Sequence, residues 1–277
     1  MSKTFVLVHG ICHGGWTWRP VAGFIRAQGH AVYTPTMPGL GIEDDRTNIH
    51  LVDAVDYLVD YIEQRELTNV VLVGHSWGGF LISGASARVP DRIERLIYWS
   101  AFVPRTGESL IDLCPPALGA MFRASAAASA DNSVALPFDV FRGALMQDAS
   151  WETQRLVHSL LERQPFHTIN ESLDLDEWER LGLPATYILS KDDIALPPGD
   201  FSWSPRFPDR IPGSHVAYTT GGHEAQFTEP EDLAAAFMNA ATANGRVTPS
   251  SQDQPRPAET TTRPEPFRES AHNATRQ

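Results

Sequence analysis

The sequence contains only two cysteines, Cys12 and Cys114, among its 277 residues. Two cysteines cannot supply the disulfide framework of a small secreted domain, so we expect free thiols and a reducing compartment. No apolar run approaches the roughly 18 residues that a membrane-spanning helix requires. The first strand-like segment begins at Phe5, which leaves no room for a secretory signal before it. These absences predict a cytoplasmic protein without a membrane partner.

Positive charge is also scarce. The chain has 22 lysines and arginines against 34 aspartates and glutamates, a formal net charge of −12. Nucleic acids and anionic membranes are bound by an excess of lysine and arginine, so neither is expected as a partner. Hydrophobic residues make up 42% of the sequence, which is enough for a sizeable core in one large domain or two small ones.

Short apolar or β-branched segments alternate along the chain with amphipathic segments. The strand-like segments are residues 5–10, 31–39, 69–76, 95–103, 185–193 and 215–222. The helix-like segments are residues 18–28, 51–65, 80–88 and 229–243. Alternation of this kind predicts an α/β fold, in which a mostly parallel central sheet carries helices on both faces.

The alternation stops between the fourth and fifth predicted strands. An alanine-rich stretch at residues 117–130 has no clear pattern, and helical signals follow at residues 138–146 and 150–163. Such an insertion between two strands predicts a helical cap over one edge of the sheet.

The chain is therefore divided into three parts. Residues 1–103 and 184–244 form the predicted α/β core, and residues 104–183 form the predicted cap. Residues 245–277 are rich in proline, threonine and serine, with Phe267 as the one large apolar side chain. Because such a segment can bury almost no apolar surface, we expect it to be a disordered tail.

The segment VVLVGHSWGG places three glycines close to a single serine, Ser76. Glycine inside a regular element costs about 0.5–1 kcal/mol relative to alanine, so three glycines indicate a backbone shape that other residues cannot adopt. The spacing Gly74, Ser76, Gly78 matches the G-x-S-x-G turn that presents a nucleophilic serine between a strand and a helix. The alternative is a glycine-rich loop with an incidental serine.

A nucleophilic serine also needs a base and a carboxylate that orients it. Asp193 lies at the end of a predicted strand, and His223 follows the last strand, so both belong to the edge where parallel sheets bind ligands. The chain order of serine, aspartate and histidine is the one expected for this turn. We predict Ser76, Asp193 and His223 as catalytic residues, with Asp192 as the alternative carboxylate.

A second glycine-rich loop, HGICHGGWTW, follows the first strand. A loop at this place supplies one N–H of the oxyanion hole, and the residue after the nucleophile supplies the other. The predicted donors are the backbone N–H groups of Ile11 and Trp77.

The same loop contains His9, Cys12 and His13, which are residue types that bind metals. No carboxylate joins them in the sequence, and the glycines fit a loop of backbone donors better. We therefore predict no metal. Cys12 is interpreted as a small wall residue rather than a nucleophile, because nothing nearby in the sequence would stabilise its thiolate.

Together, the two glycine-rich loops, the aspartate after YILSK and the histidine of GGH resemble the α/β-hydrolase superfamily. The resemblance is to the branch with plant methyl esterases of the salicylate type, plant hydroxynitrile lyases and many bacterial relatives. It covers residues 4–243 and implies an α/β-hydrolase fold with a helical cap, without metal or organic cofactor. In that family the catalytic aspartate follows the strand tyrosine, here Tyr187, by six residues, which favours Asp193 over Asp192.

The resemblance implies a serine hydrolase. His223, oriented by Asp193, would take the proton of Ser76 as this side chain attacks an ester carbonyl. Seven tryptophans and a largely apolar cap favour a small hydrophobic or aromatic ester as the small-molecule substrate. The oligomeric state is left open, and a homodimer is one alternative.

Three other functions remain open at this point: a lyase, a cofactor-free oxygenase, and a small-molecule receptor on the same fold. In the related hydroxynitrile lyases, a threonine occupies the position of Gly10, and a lysine that stabilises cyanide occupies the position of Glu224. A carboxylate there would instead repel cyanide, by about 4 kcal/mol at about 4 Å with an effective dielectric of about 20. In the alternative interpretation of Glu224, its side chain points to solvent.

Overall fold

The structure, a computed structural model, describes residues 2–211 and 213–243. Within these residues the strands are β1 (Thr4–Val8), β2 (Ala31–Tyr33), β3 (Val70–His75), β4 (Ile93–Trp99), β5 (Ser133–Val134), β6 (Gln164–Pro165), β7 (Ala185–Ser190) and β8 (His215–Thr219). Six of them form one sheet in the order β2-β1-β3-β4-β7-β8, in which every neighbouring pair is parallel. The predicted parallel sheet is confirmed.

Each strand of this sheet is shorter than the apolar segment that predicted it. The second is the clearest case, because the predicted segment 31–39 forms a strand only over Ala31–Tyr33. Pro35 and Pro38 lack the N–H group that a sheet hydrogen bond needs, so the chain leaves the sheet before them. The remaining residues of the segment continue as a loop at the carboxyl edge of the sheet.

The helices cover both faces of the sheet, as the alternating pattern predicted. They are α1 (Arg19–Ala27), α2 (Leu51–Gln64), α3 (Gly78–Arg88), α4 (Leu110–Leu113), α5 (Pro116–Ala127), α6 (Phe138–Val140), α7 (Trp151–Ser159), α8 (His167–Asn170), α9 (Asp176–Leu181), α10 (Ala225–Thr228) and α11 (Pro230–Thr242). Phe5 and Leu7 of β1 belong to the apolar cluster that contains α1 and α11. Val6 and Val8 point the other way, into the cluster with α2 and α3.

The residues between β4 and β7 form helices α4 to α9 and the short antiparallel pair of β5 and β6. The alanine-rich stretch without a clear pattern forms α5, because alanine has the highest helix propensity. Its buried residues are few, namely Gly119, Phe122 and Ala126, so the sequence carried little periodicity. The assignment of residues 104–183 as a functional cap stays a prediction, and the tail predicted at residues 245–277 lies outside the described residues.

Ser76 lies on a sharp turn between β3 and α3. Its φ angle is 53°, in the left-handed region that side-chain-bearing residues rarely adopt. A Cβ atom on Gly78 would lie 2.8 Å from the Val8 carbonyl oxygen, and one on Gly74 would lie 2.8 Å from the carbonyl carbon of Gly78. The contact at Gly79 is tighter still, since a Cβ atom there would lie 1.9 Å from the carbonyl oxygen of Phe102. The three glycines are thus required because backbone packs directly against backbone.

We expect the substitution Gly79→Ala to destabilise the fold, because the new methyl group meets rigid backbone that must move. Overpacking of this kind typically costs about 1–3 kcal/mol, which lowers Tm by several degrees in a chain of this size. The matched control is Gly23→Ala in α1, where a Cβ atom meets nothing within 4 Å. This exposed helical change is expected to raise stability by about 0.5–1 kcal/mol. Thermal denaturation of both variants tests the account, which fails if Gly79→Ala melts at or above the wild-type temperature.

Candidate active site

Ser76 and His223 line one cavity of about 290 Å³ at the carboxyl edge of the sheet. The polar side chains at its wall also include His13, His75 and Glu224. The rest of the wall is largely apolar and includes Phe102, Leu110, Phe122, Leu136, Leu196 and Trp203. Four of these, Phe102, Leu110, Phe122 and Leu136, come from the segment between β4 and β7, so this segment closes part of the cavity.

The structure brings His223 together with Asp193. Nδ1 of His223 donates a hydrogen bond of 2.8 Å to Oδ2 of Asp193. The other carboxylate oxygen accepts a bond of 2.9 Å from the backbone N–H of Ala195. The side chains of His223 and Asp193 are only 4% and 1% exposed. By contrast, the neighbouring Asp192 is exposed, so it is not the carboxylate that orients His223.

Each member of this pair changes the pKa of the other. Burial would raise the pKa of the Asp193 carboxyl, but the charge and hydrogen bond of His223 hold it below its usual range. Burial would lower the pKa of the His223 imidazole, but the Asp193 carboxylate, its hydrogen bond and the charge of Glu224 raise it above 6.5. The pair therefore favours a protonated His223 and an ionised Asp193.

Two aromatic side chains fix the plane of the His223 ring, and neither was predicted from the sequence as a site residue. Trp203 stacks on it with an interplanar angle of 10° and a centroid distance of 5.5 Å. On another side His75 lies with its centroid 4.5 Å away, and His75 itself stacks on Trp99. Burial lowers the pKa of His75 well below its usual value, so this ring is neutral. No sequence motif predicts a site residue at Trp203, which lies in the loop between β7 and β8.

The backbone N–H groups of Ile11 and Trp77 do not donate a hydrogen bond to any described residue. The Gly10 carbonyl and the Ile11 N–H belong to the same peptide unit. Nδ1 of His9 lies 2.8 Å from this carbonyl oxygen and so fixes the orientation of the unit. The backbone N–H of Met37 donates to Nε2 of His9, which assigns the proton to Nδ1. Burial lowers the pKa of His9 to about 3, so the ring stays neutral and keeps this arrangement.

The residues considered for a metal site do not converge on one point. Both nitrogens of His9 are occupied by the backbone, and Nδ1 of His13 binds the Ile11 carbonyl at 2.6 Å. Burial raises the pKa of the Cys12 thiol to about 12, so the side chain is neither a thiolate ligand nor a ready nucleophile. The backbone N–H of Cys12 donates to the side chain of Gln164, which anchors the loop.

Elsewhere in the described residues, the ligand atoms of His50, His167 and Glu171 lie within 4.8 Å of one another. Oε1 of Glu171 accepts from Nδ1 of His50 at 2.6 Å, and Oε2 accepts from the Leu51 N–H at 3.1 Å. These contacts cap the start of α2, and none of the three side chains lines the cavity.

Glu224 is buried at the cavity wall, with 1% of the residue exposed, so the interpretation in which it points to solvent is wrong. Its Oε2 atom lies 3.3 Å from Nε2 of His13, and Gln226 donates a hydrogen bond to the same oxygen. Burial would raise the pKa of the Glu224 carboxyl, but the interaction with His13 holds it at about 2. This pair was not predictable from the sequence, because its two members lie more than 200 positions apart in the chain.

Comparison with known proteins agrees with this architecture. Residues 5–236 match the model of the alpha/beta hydrolase family. A carbendazim hydrolyzing esterase of Nocardioides sp. (strain SG-4G) is 33% identical over 83% of this chain and 96% of its own length. Methylesterase 2 of Arabidopsis thaliana is 29% identical over 73% of this chain and 82% of its own.

A solved structure from a Paenibacillus species has a TM-score of 0.83 and 32% sequence identity, covering 88% of this chain and all of the other. It is described as an extracellular alpha/beta-hydrolase with structural and functional homology to tobacco salicylic acid-binding protein 2. No helix in the described residues is long and apolar enough to cross a membrane, and the cytoplasmic location stays a prediction. The chain belongs to the alpha/beta-hydrolase family, in the branch of the salicylate-type methylesterases.

Proposed function

We propose that this hydrolase cleaves small hydrophobic carboxylic esters through an acyl-enzyme formed on Ser76. The observation that carries the proposal is the buried hydrogen bond between His223 and Asp193, in the same cavity that exposes Ser76. Esterases among the relatives support ester hydrolysis as the reaction class.

In the acylation step, His223 accepts the proton of the Ser76 hydroxyl while the oxygen attacks the ester carbonyl carbon. Asp193 keeps Nδ1 of His223 protonated and leaves Nε2 free to act as the base. The carbonyl oxygen becomes an oxyanion, which the free N–H groups of Ile11 and Trp77 stabilise. In known sites of this kind, loss of one such donor costs about 3–4 kcal/mol.

Collapse of the tetrahedral intermediate breaks the bond to the alcohol, which leaves with the proton held by His223. A water molecule then gives its proton to His223 and attacks the acyl carbon. Collapse of the second tetrahedral intermediate breaks the bond to the Ser76 oxygen, which takes the proton back from His223, and the carboxylic acid is released. The stacking of Trp203 on His223 keeps the ring in one plane through both proton transfers.

The cavity favours a small substrate. Its volume of about 290 Å³ lies near the lower end of ligand sites, and its wall is mostly apolar. The names of two relatives, a carbendazim hydrolyzing esterase and a methylesterase, favour small esters and methyl esters in particular.

The structure gives less support to a lyase that releases cyanide. A Cβ atom on Gly10 would lie 3.1 Å from the Ser76 Cβ, so the larger residue of the lyases would crowd the nucleophile. The buried carboxylate of Glu224 would repel a leaving cyanide. A receptor or an oxygenase could use the same cavity, so turnover has to distinguish these functions.

We expect Ser76→Ala to abolish ester turnover without loss of the fold, because only one hydroxyl is removed. With p-nitrophenyl acetate and small methyl esters, kcat/KM should fall by several orders of magnitude. Circular dichroism and Tm of the same preparation report whether the fold is retained.

The same preparation of the wild-type protein should release no cyanide from mandelonitrile above the buffer rate. Enzyme-dependent cyanide release without ester turnover would contradict the proposal. So would retention of most activity by Ser76→Ala on every ester tried. Slow labelling in a single turnover would instead favour a receptor.

The pH dependence of kcat/KM tests the role of the Asp193 carboxylate. Because the pKa of His223 is raised above 6.5 and its neutral form is the base, kcat/KM should fall as the pH drops through a midpoint above 6.5. Asp193→Asn removes the largest of the interactions that raise the pKa of His223, so the midpoint should move to lower pH. The rate itself should fall by about four orders of magnitude.

The matched control for this change is Asp192→Asn. It removes an exposed carboxylate next to Asp193, whose charge is screened by solvent, and should leave both rate and midpoint near the wild-type values. Equal losses in the two variants would show that the pair seen in the structure does not orient the base.

A further inference from the structure

The two carboxylate oxygens of Glu224 differ in their surroundings. Oε2 is occupied, since it faces Nε2 of His13 at 3.3 Å and accepts a hydrogen bond from Gln226. Oε1 accepts no hydrogen bond from a described residue, and the buried side chain lines the cavity. A carboxylate oxygen that faces a cavity and has no donor within the protein can accept a hydrogen bond from a ligand bound there.

The charge of Glu224 is retained at neutral pH. The groups that face it are the imidazoles of His13, His75 and His223, and the pKa of its carboxyl is about 2. His13 also contacts the Ile11 carbonyl through Nδ1, so both of its nitrogens face oxygen atoms. An ionised oxygen without a partner is a stronger acceptor than a neutral one.

We propose that Oε1 of Glu224 binds a hydrogen-bond donor of the substrate, so that the cavity selects apolar esters that carry an uncharged N–H or O–H group. This inference rests on the proposed function, because it names the substrate class of the same cavity.

An uncharged donor fits better than an ion. The mostly apolar wall would have to desolvate a cationic substrate, and Oε2 of Glu224 already faces Nε2 of His13 at 3.3 Å. A second carboxylate on the substrate would be repelled by Glu224. A neutral N–H or O–H pairs with the open oxygen at low desolvation cost, while the rest of the molecule contacts apolar side chains.

A purely structural role for Glu224 makes a different prediction. His13 holds the Ile11 carbonyl, so loss of Glu224 could loosen the loop that carries the Ile11 N–H. Such a defect would slow all esters alike. The proposed contact instead affects esters with a donor more than esters without one, so the ratio between matched substrates separates the two roles.

The experiment compares methyl 3- and 4-aminobenzoate with methyl 3- and 4-methylbenzoate, whose substituents are similar in size and uncharged at neutral pH. Each kcat/KM is divided by the rate of hydroxide hydrolysis to remove intrinsic reactivity. For at least one ring position, the wild-type protein should prefer the amino ester by about tenfold, equivalent to about 1.4 kcal/mol. In Glu224→Met the preference should disappear.

Two further variants keep the test decisive. Glu224→Gln retains the shape and offers only a neutral acceptor, so its ratio should fall severalfold even if Glu224→Met does not fold. Glu231→Gln removes an exposed carboxylate at the start of α11, outside the cavity, and should keep the wild-type ratio. A wild-type protein without preference at either position, or a ratio unchanged by both Glu224 variants, would overturn the inference.

Equilibrium binding of the same esters to Ser76→Ala distinguishes this inference from the proposed function. Tighter binding of the amino ester, lost on the additional change Glu224→Met, supports the contact even if the wild-type protein hydrolyses nothing. Ester turnover without any preference in rate or binding would leave the proposed function standing and refute the contact.

Discussion

The close approach of three backbone segments around Ser76 is the constraint on which the site depends. Gly78 packs on the carbonyl of Val8 at the end of β1, and Gly79 packs on the carbonyl of Phe102 after β4. The Ser76 carbonyl accepts hydrogen bonds from the N–H groups of Gly79 and Phe102, both at 3.1 Å. This packing holds Ser76 at its positive φ angle, which tertiary structure must stabilise because the local chain disfavours it.

The other functional groups reach the serine through the parallel sheet. Because the strands run in one direction, the loops that carry Ile11, Ser76, Asp193 and His223 all leave the same edge. His223 and Glu224 are neighbours in the chain, and each belongs to a different histidine–carboxylate pair. His223 pairs with Asp193, and Glu224 pairs with His13 on the loop of Ile11. The histidine loop is thereby linked to both the aspartate loop and the proposed oxyanion loop.

Much of the fold and of the candidate site was predictable from the sequence, because the alternation of apolar segments and the spacing of glycines are local signals. The strand segments and the turn at Ser76 followed from such patterns, and the order of aspartate and histidine followed from strand ends. Asp192 and Asp193 follow the same strand, so the pattern of the sequence could not separate them. The choice of Asp193 needed the spacing of six residues from Tyr187 that the related family shows. In the structure, Asp193 is the one that bonds to His223.

Contacts between distant segments were not predictable. The pairing of His13 with Glu224 and the stacking of Trp203 on His223 depend on how the loops fold over the sheet edge. Burial of a glutamate was not expected either, because charged side chains are usually exposed unless paired. The helix α5 was missed because most of its residues are small and few are buried, so its sequence lacks an apolar stripe.

The most direct test of the central claim is mass spectrometry of the protein quenched during turnover of p-nitrophenyl acetate. The account predicts an adduct of one acetyl group, mapped to the peptide that contains Ser76 and chased away by water as turnover proceeds. Ester turnover with no adduct on this peptide at any quench time, or with a competent adduct on another residue, would contradict it.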